Sequence, residues 1–322
     1  MPVKKQQYFC VNVLPMEFGY VPETELDKVD FTLPPDPIFN RNILKGGPVK
    51  DPKIYVGCPR WGTKEWVGKI YPLNTKEKDF LQHYVEHFNC IELNATHYKV
   101  YDEAATSKWA EKAEGKDFLF CPKMIKEVTH AGNMKDKQII TEEFLQGLKG
   151  FGQHLGPIFI QVSDTFSPAR KKELFDYLAT LPTDQQFFLE VRHPDWFSIE
   201  KERDDLFSFL RDQNIGAVIT DTAGRRDCAH MYVTVPKTFI RYVGNRMHPT
   251  DHPRIDEWVG RIKYWLDNGL KELYLLMHVE DLSPEGTAHI IDVMNKVCGF
   301  NLPKPKFVDK PSTGKVVQSK LF

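Results

Sequence analysis

The stretch Phe187-Phe-Leu-Glu-Val-Arg-His-Pro-Asp-Trp196 runs a short aromatic and branched segment straight into charge. Proline at 182 and at 194 bounds it, and the composition predicts a strand. Side chains alternate along a strand, so Leu189 and Val191 share one face while Glu190 and Arg192 share the other. A carboxylate or guanidinium buried alone is very costly, so these two must be paired, solvated or aimed at a ligand. The same design recurs along the chain. Ile91-Glu-Leu-Asn94 carries Glu92 and Asn94 on one face, and Phe239-Ile-Arg-Tyr-Val243 sets Arg241 against Ile240 and Tyr242. Ile158-Phe-Ile-Gln-Val162 ends with Gln161, and Ala217-Val-Ile-Thr-Asp221 ends with Asp221.

Arg192, Arg241 and Lys123 suit phosphate or carboxylate, the arginines by their bidentate fork. Asn94 suits hydroxyl groups, and Glu92, Glu190 or Asp221 offers a general acid or base. Arg60, Gln161, His193 and His278 complete the set of expected ligand contacts. Trp61, Tyr98 and Trp196 would stack on a sugar or base. A second reading makes Glu92, Glu190, Asp221, His130, His193 and His278 ligands for a divalent ion in phosphoester hydrolysis. No His-x-His or His-Glu-x-x-His spacing supports it, so no residue is assigned to a metal; the cofactor stays unassigned, with a divalent metal left open. A third reading is a barrel that binds a ligand without turnover. Against all three stands a self-compensating ion network, because Glu92, Glu190 and Asp221 match Lys123, Arg192 and Arg241 in formal charge. A retaining glycosidase needs two carboxyl groups about 5–5.5 Å apart, and Glu92 and Glu190 sit on strands expected to lie well apart. Cys58 and Cys121, near strand ends, are alternative nucleophiles with no positioned base legible beside them.

These residues sit on a regular alternation of elements. Strands are predicted at 54–58, 90–94, 118–121, 158–162, 187–191, 217–220, 239–243 and 273–277. Helices are predicted at about 74–88, 102–114, 141–154, from Ser167-Pro168, and at 199–213, 254–268 and from Ser283-Pro284 to Gly299. Asp102 is read as an N-cap and Gly115 as a terminator. The segment Asp221-Thr-Ala-Gly-Arg-Arg-Asp227 is not amphipathic, so the sixth crossover is expected to be irregular. Strand–helix alternation means a parallel sheet, and eight strands favour a (β/α)8 barrel of the TIM type, whose ligands bind at C-terminal strand ends. No Gly-x-Gly-x-x-Gly turn follows the first strand, which argues against a dinucleotide-binding open sheet. Residues 1–50 are expected to form an extended N-terminal arm, 51–300 the barrel and 301–322 a flexible lysine- and proline-rich tail.

The chain has 322 residues and a formal net charge of −1, so bulk charge points to neither nucleic acid nor anionic membranes. Only the tail lysines suggest nucleic acid, and a solvated tail explains them too. The expected partner is an anionic small molecule, with no membrane contact. There is no run of about 18 apolar residues and no signal-peptide pattern after Met1-Pro-Val-Lys-Lys. Six scattered cysteines without a Cys-x-x-Cys read as reduced thiols. A cytoplasmic protein is expected from these features.

The motifs Gly57-Cys-Pro-Arg-Trp61, Phe88-Asn-Cys-Ile-Glu-Leu-Asn94 with Thr96 and Tyr98, Thr129-His130, Leu155-Gly-Pro157 with Gln161, Glu190-Val-Arg-His193 with Trp196, and Arg241 with Gly244 occur in this order. As a set they resemble the YecE-like family, over about residues 54–298. The resemblance implies a TIM-like barrel and no established activity. At the eighth strand the chain departs from the family, with Met277-His278 where an amide-rich end is usual.

Overall fold

The computed structural model describes residues 19–279 and 284–308. Eight strands follow the expected order: β1 Lys53–Cys58, β2 Cys90–Leu93, β3 Leu119–Pro122, β4 Ile158–Gln161, β5 Phe187–Glu190, β6 Gly216–Asp221, β7 Lys237–Gly244 and β8 Glu272–Val279. The helices between them are α1 Phe80–Tyr84, α2 Glu103–Ala110, α3 Lys126–Thr129, α4 Gln138–Leu148, α5 Lys171–Leu178, α6 Asp195–Ser198, α7 Glu200–Asp212, α8 Asp251–Asp267 and α9 Pro284–Cys298. All strand pairings are parallel, in the order β3-β2-β1-β8-β7-β6-β5-β4. The two end strands are joined by single bridges, Phe120 to Leu155 and Lys123 to Phe159. Gly156 N–H donates to Phe120 O at 2.7 Å and Met124 N–H to Phe159 O at 2.9 Å. The sheet is thus a (β/α)8 barrel, with β3–β4 its thinnest seam.

Strand parity sorts the side chains into two layers. Tyr55, Cys90, Cys121, Phe159, Phe188, Val218, Phe239, Tyr274 and Leu276 fill the lumen. Their neighbours on the strands face the helices, in clusters such as Ile240, Ile255, Trp258, Ile262 and Trp265. Two glycines permit this packing. A Cβ on Gly57 would meet Cys90 O at 2.0 Å, and one on Gly216 would meet the Phe188 ring at 2.2 Å.

Local signals act as expected at several ends. Asp102 caps α2 by accepting from Ala105 N–H at 2.8 Å, and Gly115 and Gly269 take positive φ after α2 and α8. The first helix is shorter than its periodicity predicts. Asn74 has φ +67°, and i→i+3 bonds such as Asp79 N–H to Lys76 O and Glu86 N–H to His83 O confine regular helix to α1. Phe80, Leu81, Tyr84, Val85 and Phe88 are nevertheless all buried. The sixth crossover is irregular, a 3-10 segment at Ala223–Cys228 with a kink at Arg225.

Residues 19–50 form an extended arm with short 3-10 turns across α8 and the sixth crossover. Asn40 Nδ2 donates to Met231 O at 2.7 Å and its Oδ1 accepts from Val233 N–H at 2.9 Å. Trp265 Nε1 donates to Asp36 at 2.6 Å. Residues 1–18 of the expected arm lie outside the described residues. The expected flexible tail differs at its start: Leu302 N–H donates to Asn295 Oδ1, Lys306 N–H to His87 Nδ1 and Val308 N–H to Lys69 O, which ties 301–308 to the barrel. Residues 309–322, with the remaining tail lysines, lie outside the described residues.

Candidate functional site

Above the apolar lumen, the next inward positions are polar. They are Glu92 and Asn94 from β2 and the turn after it, Lys123 beyond β3, Gln161 of β4, Glu190 and Arg192 at β5, Thr220 of β6, Arg241 of β7 and His278 of β8. Arg241 lies at the centre. Its Nε and Nη2 donate to the two oxygens of Glu92, both at 2.9 Å, and Nη1 donates to Glu190 Oε2 at 2.8 Å. The other oxygen of Glu190 accepts from Arg192 Nε at 2.6 Å and Thr220 Oγ1 at 3.0 Å. Glu92 also takes His278 Nε2 at 2.8 Å and Asn94 Nδ2 at 3.0 Å. Glu92, Glu190 and Arg241 are 0, 2 and 1% exposed.

This geometry alters several expectations. Glu92 and Glu190 are not far apart, since both hold one guanidinium. Burial alone would raise their pKa values, but Arg241 with His278 holds Glu92 well below the carboxylate range, and Arg192 with Arg241 holds Glu190 at about 2. Neither is a protonated acid or an effective base near neutrality, so their catalytic assignment gives way to a positioning one. Asp221 is absent from the mouth. It points outward to the helices, where Arg254 Nη2 at 3.0 Å, Trp258 Nε1 at 2.7 Å and Arg226 donate to it. His193 Nδ1 accepts from Asp195 N–H at 3.3 Å at the start of α6.

Without Asp221, the described residues of the buried network are Lys123, Arg192 and Arg241 with Glu92 and Glu190, and Lys123 stands apart from both carboxylates. It is 9% exposed, and its Nζ donates to the neutral Gln161 Oε1 at 2.9 Å, with no carboxylate in ion-pair range among the described residues. Burial first, then Arg241, lowers its pKa to about 8, while Glu92 and Glu190 oppose this from a distance. Arg60 follows β1, half-buried, and burial lowers its pKa despite Glu65. Asp164 approaches Arg192 from the rim at 3.8 Å.

Two histidines stand beside Lys123. His97 and His130 meet edge to face at 5.2 Å between centroids. Burial and then Lys123 lower their pKa values, to about 3 and about 4, so both rings are neutral at pH 7. His97 Nδ1 donates to Met124 O at 2.7 Å. His97 and Thr220 were not legible as site residues, although His97 lies inside the Asn94–Tyr98 segment. The irregular sixth crossover closes one side. Arg225 Nη2 and Cys228 Sγ–H both donate to Arg192 O, at 2.6 and 3.1 Å.

The aromatic candidates divide. Trp196 is fully buried and donates to Phe166 O, a packing role. Trp61 stands edge-on to Trp109 at the rim, and Tyr98 is 50% exposed. Cys58 is a buried thiol bonded to Thr287, its pKa pushed up to about 12 by burial, which argues against a nucleophile. The five cysteines among the described residues are free. The metal reading does not fit: no three ligand-type side chains converge among the described residues, and both mouth carboxylates are occupied by guanidinium groups. Among those residues no helix is long and apolar enough to cross a membrane.

Fold and mouth define a parallel (β/α)8 barrel with a buried, cation-rich ion network at its C-terminal face. The family profile described as "Protein of unknown function DUF72" matches residues 55–306, and the chain belongs to that family. It is 26% identical over 248 residues to the UPF0759 protein YecE of Escherichia coli K12, covering 71% of this chain and 88% of that protein. Two solved structures share its fold. A DUF72 family protein of Enterococcus faecalis V583 superposes with a TM-score of 0.61 at 16% identity, over 78% of this chain and 99% of that one. A DUF72 family protein of Thermotoga maritima MSB8 gives 0.55 at 22% identity, over 77% and 100%.

Proposed function

We propose that the protein binds an anionic, hydroxyl-bearing small molecule at the C-terminal mouth of the barrel. Lys123, Arg192 and Arg60 are the cationic contacts, and Asn94 and Gln161 hold hydroxyl groups. Arg241, Glu92, Glu190 and His278 form the rigid floor that fixes them. The observation that carries this reading is the buried Lys123 ammonium, bonded to a neutral amide and with no carboxylate in ion-pair range among the described residues. An isolated buried cation is costly, and an incoming phosphate or carboxylate relieves that cost. Wherever the barrel fold has been characterised as an enzyme, this face carries the site.

The test is thermal unfolding of the chelator-stripped protein with phosphate, sulfate and a polyhydroxylated phosphate such as glycerol 3-phosphate. A ligand specific to the folded state adds about 2.7 kcal/mol at one hundred times its dissociation constant. The expected result is a saturable rise in Tm that is lost in Lys123→Met and weakened in Arg60→Ala. No rise with any oxyanion, or an equal rise in Lys123→Met, overturns the reading.

A further inference from the structure

We propose that Lys123 is an imine-forming amine, and that the molecule bound at the mouth is an anionic aldehyde or ketone whose carbonyl carbon meets Nζ. This rests on the anion-binding reading above and names its substrate class.

The geometry supports the assignment from three sides. Lys123 follows β3 on the lumen side, in line with Cys121, so the barrel wall fixes its stem. Its backbone is pinned from both directions: Lys123 N–H donates to Leu93 O at 3.2 Å, and its carbonyl accepts from Thr96 Oγ1 at 2.9 Å. Gln161 Oε1 orients the nitrogen without neutralising it. A lysine that only supports the fold is held differently here. Lys171, for instance, is gripped at 2.6 Å by both Glu202 and Asp205, partners that keep a proton in place. Around Lys123, burial and the cations Arg241 and Arg192 favour release of the proton, and Glu92 and Glu190, at longer range than an ion pair, oppose it without outweighing them. The lowered pKa agrees with this: at about 8, roughly a tenth of the amines are neutral at pH 7, against well under a thousandth for an ordinary lysine.

The chemistry balances within the chain and its substrate. The neutral Nζ lone pair attacks the carbonyl carbon, a C–N bond forms, and the carbonyl electron pair moves to oxygen. The resulting carbinolamine loses that oxygen as water, and both former amine hydrogens leave in the water as C=N forms. No oxidant or reductant is needed. His97 and His130, whose pKa values burial and Lys123 depress, stay neutral and too weakly basic to take part, so water carries the proton between nitrogen and oxygen. Arg192 and Arg60 hold the carboxylate or phosphate of the same molecule.

The experiment is reductive trapping on the full chain. Wild-type protein is incubated with pyruvate, and separately with neutral propionaldehyde, then treated with sodium borohydride, weighed intact and peptide-mapped. The expected result is one adduct, on the Lys123 peptide. Its formation rate rises through about pH 8, and phosphate suppresses trapping of pyruvate. Lys123→Arg, which keeps the charge, gives no adduct there. Absence of a Lys123 adduct with both carbonyls, or labelling spread over exposed lysines, overturns the proposal, and the wild-type map decides this even where the variant fails to fold. The two readings separate cleanly. A Tm rise with phosphate but no adduct removes the imine and keeps the anion site. A Lys123 adduct with propionaldehyde but neither phosphate binding nor pyruvate trapping overturns the anionic substrate class.

Discussion

Replacing Arg241 with methionine should be the most damaging single change in the barrel mouth. The substitution removes three charge-assisted bonds to two buried carboxylates. Glu190 retains Arg192 and Thr220. Among the described residues Glu92 retains Asn94 and His278, neither of which is a permanent cation. The loss therefore falls on Glu92. Removing one partner of a buried ion pair costs about 3–5 kcal/mol, which for a barrel of this size lowers Tm by roughly 6–20 °C. The pH dependence gives the sharper signature. In the wild type the carboxyl pKa values are depressed, so their stabilisation is complete above about pH 4.3 and is lost as pH falls toward the folded value, about 2 for Glu190. In the variant, burial lifts the Glu92 pKa above its unfolded value, and lowering the pH favours the folded state. The stability gap should therefore narrow between pH 7 and pH 5. Urea titration followed by tryptophan fluorescence measures it, and adding Glu92→Gln should restore much of the loss. A gap under about 1 kcal/mol, or one equal at both pH values, would refute a desolvated network.

Lys123 gives a slope of the same sign as the wild-type carboxylates, in the alkaline range. Its folded pKa of about 8 lies below the unfolded 10.5, so wild-type stability should climb between pH 8 and 10, by roughly 3 kcal/mol in total, and urea titrations of Lys123→Met should show no such climb. Asp221→Asn should cost about 1–3 kcal/mol by removing one of the two carboxylates on the buried Arg254, which keeps Asp251, while the phosphate-induced Tm rise stays intact, because Asp221 is outside the mouth. Gly57→Ala should destabilise by about 1–3 kcal/mol or more in chemical denaturation, since its Cβ would sit 2.0 Å from Cys90 O.

Strand positions were legible to within a residue or two because each is a short apolar run ended by glycine, proline or charge. The site was legible where parity could be counted from a charged residue. Counting from Glu190 places Arg192 inward, and Arg192 Nε does reach Glu190. Parity failed at β6, where Ala217-Val-Ile is apolar on both faces. Its phase emerges only from pairing, with Thr220 beside Arg241 and Asp221 beside Tyr242. The meeting of Glu92 with Glu190 was illegible for another reason: it depends on the reach of Arg241 across the lumen, which no local spacing encodes. Helix α1 fell short because periodicity reports which residues are buried, not whether the backbone between them makes i→i+4 bonds.

The strand order bears on how the chain acquires its shape. β1 pairs with β8 from Lys53–Glu272 through Gly57–Leu276, whereas the consecutive strands β3 and β4 meet only at isolated bridges. The strand synthesised first is therefore completed by the one synthesised last, some two hundred residues later. That closure entropy must be met before the ladder forms, so a nascent chain truncated before β8 carries an unpaired β1 edge and cannot assemble the mouth.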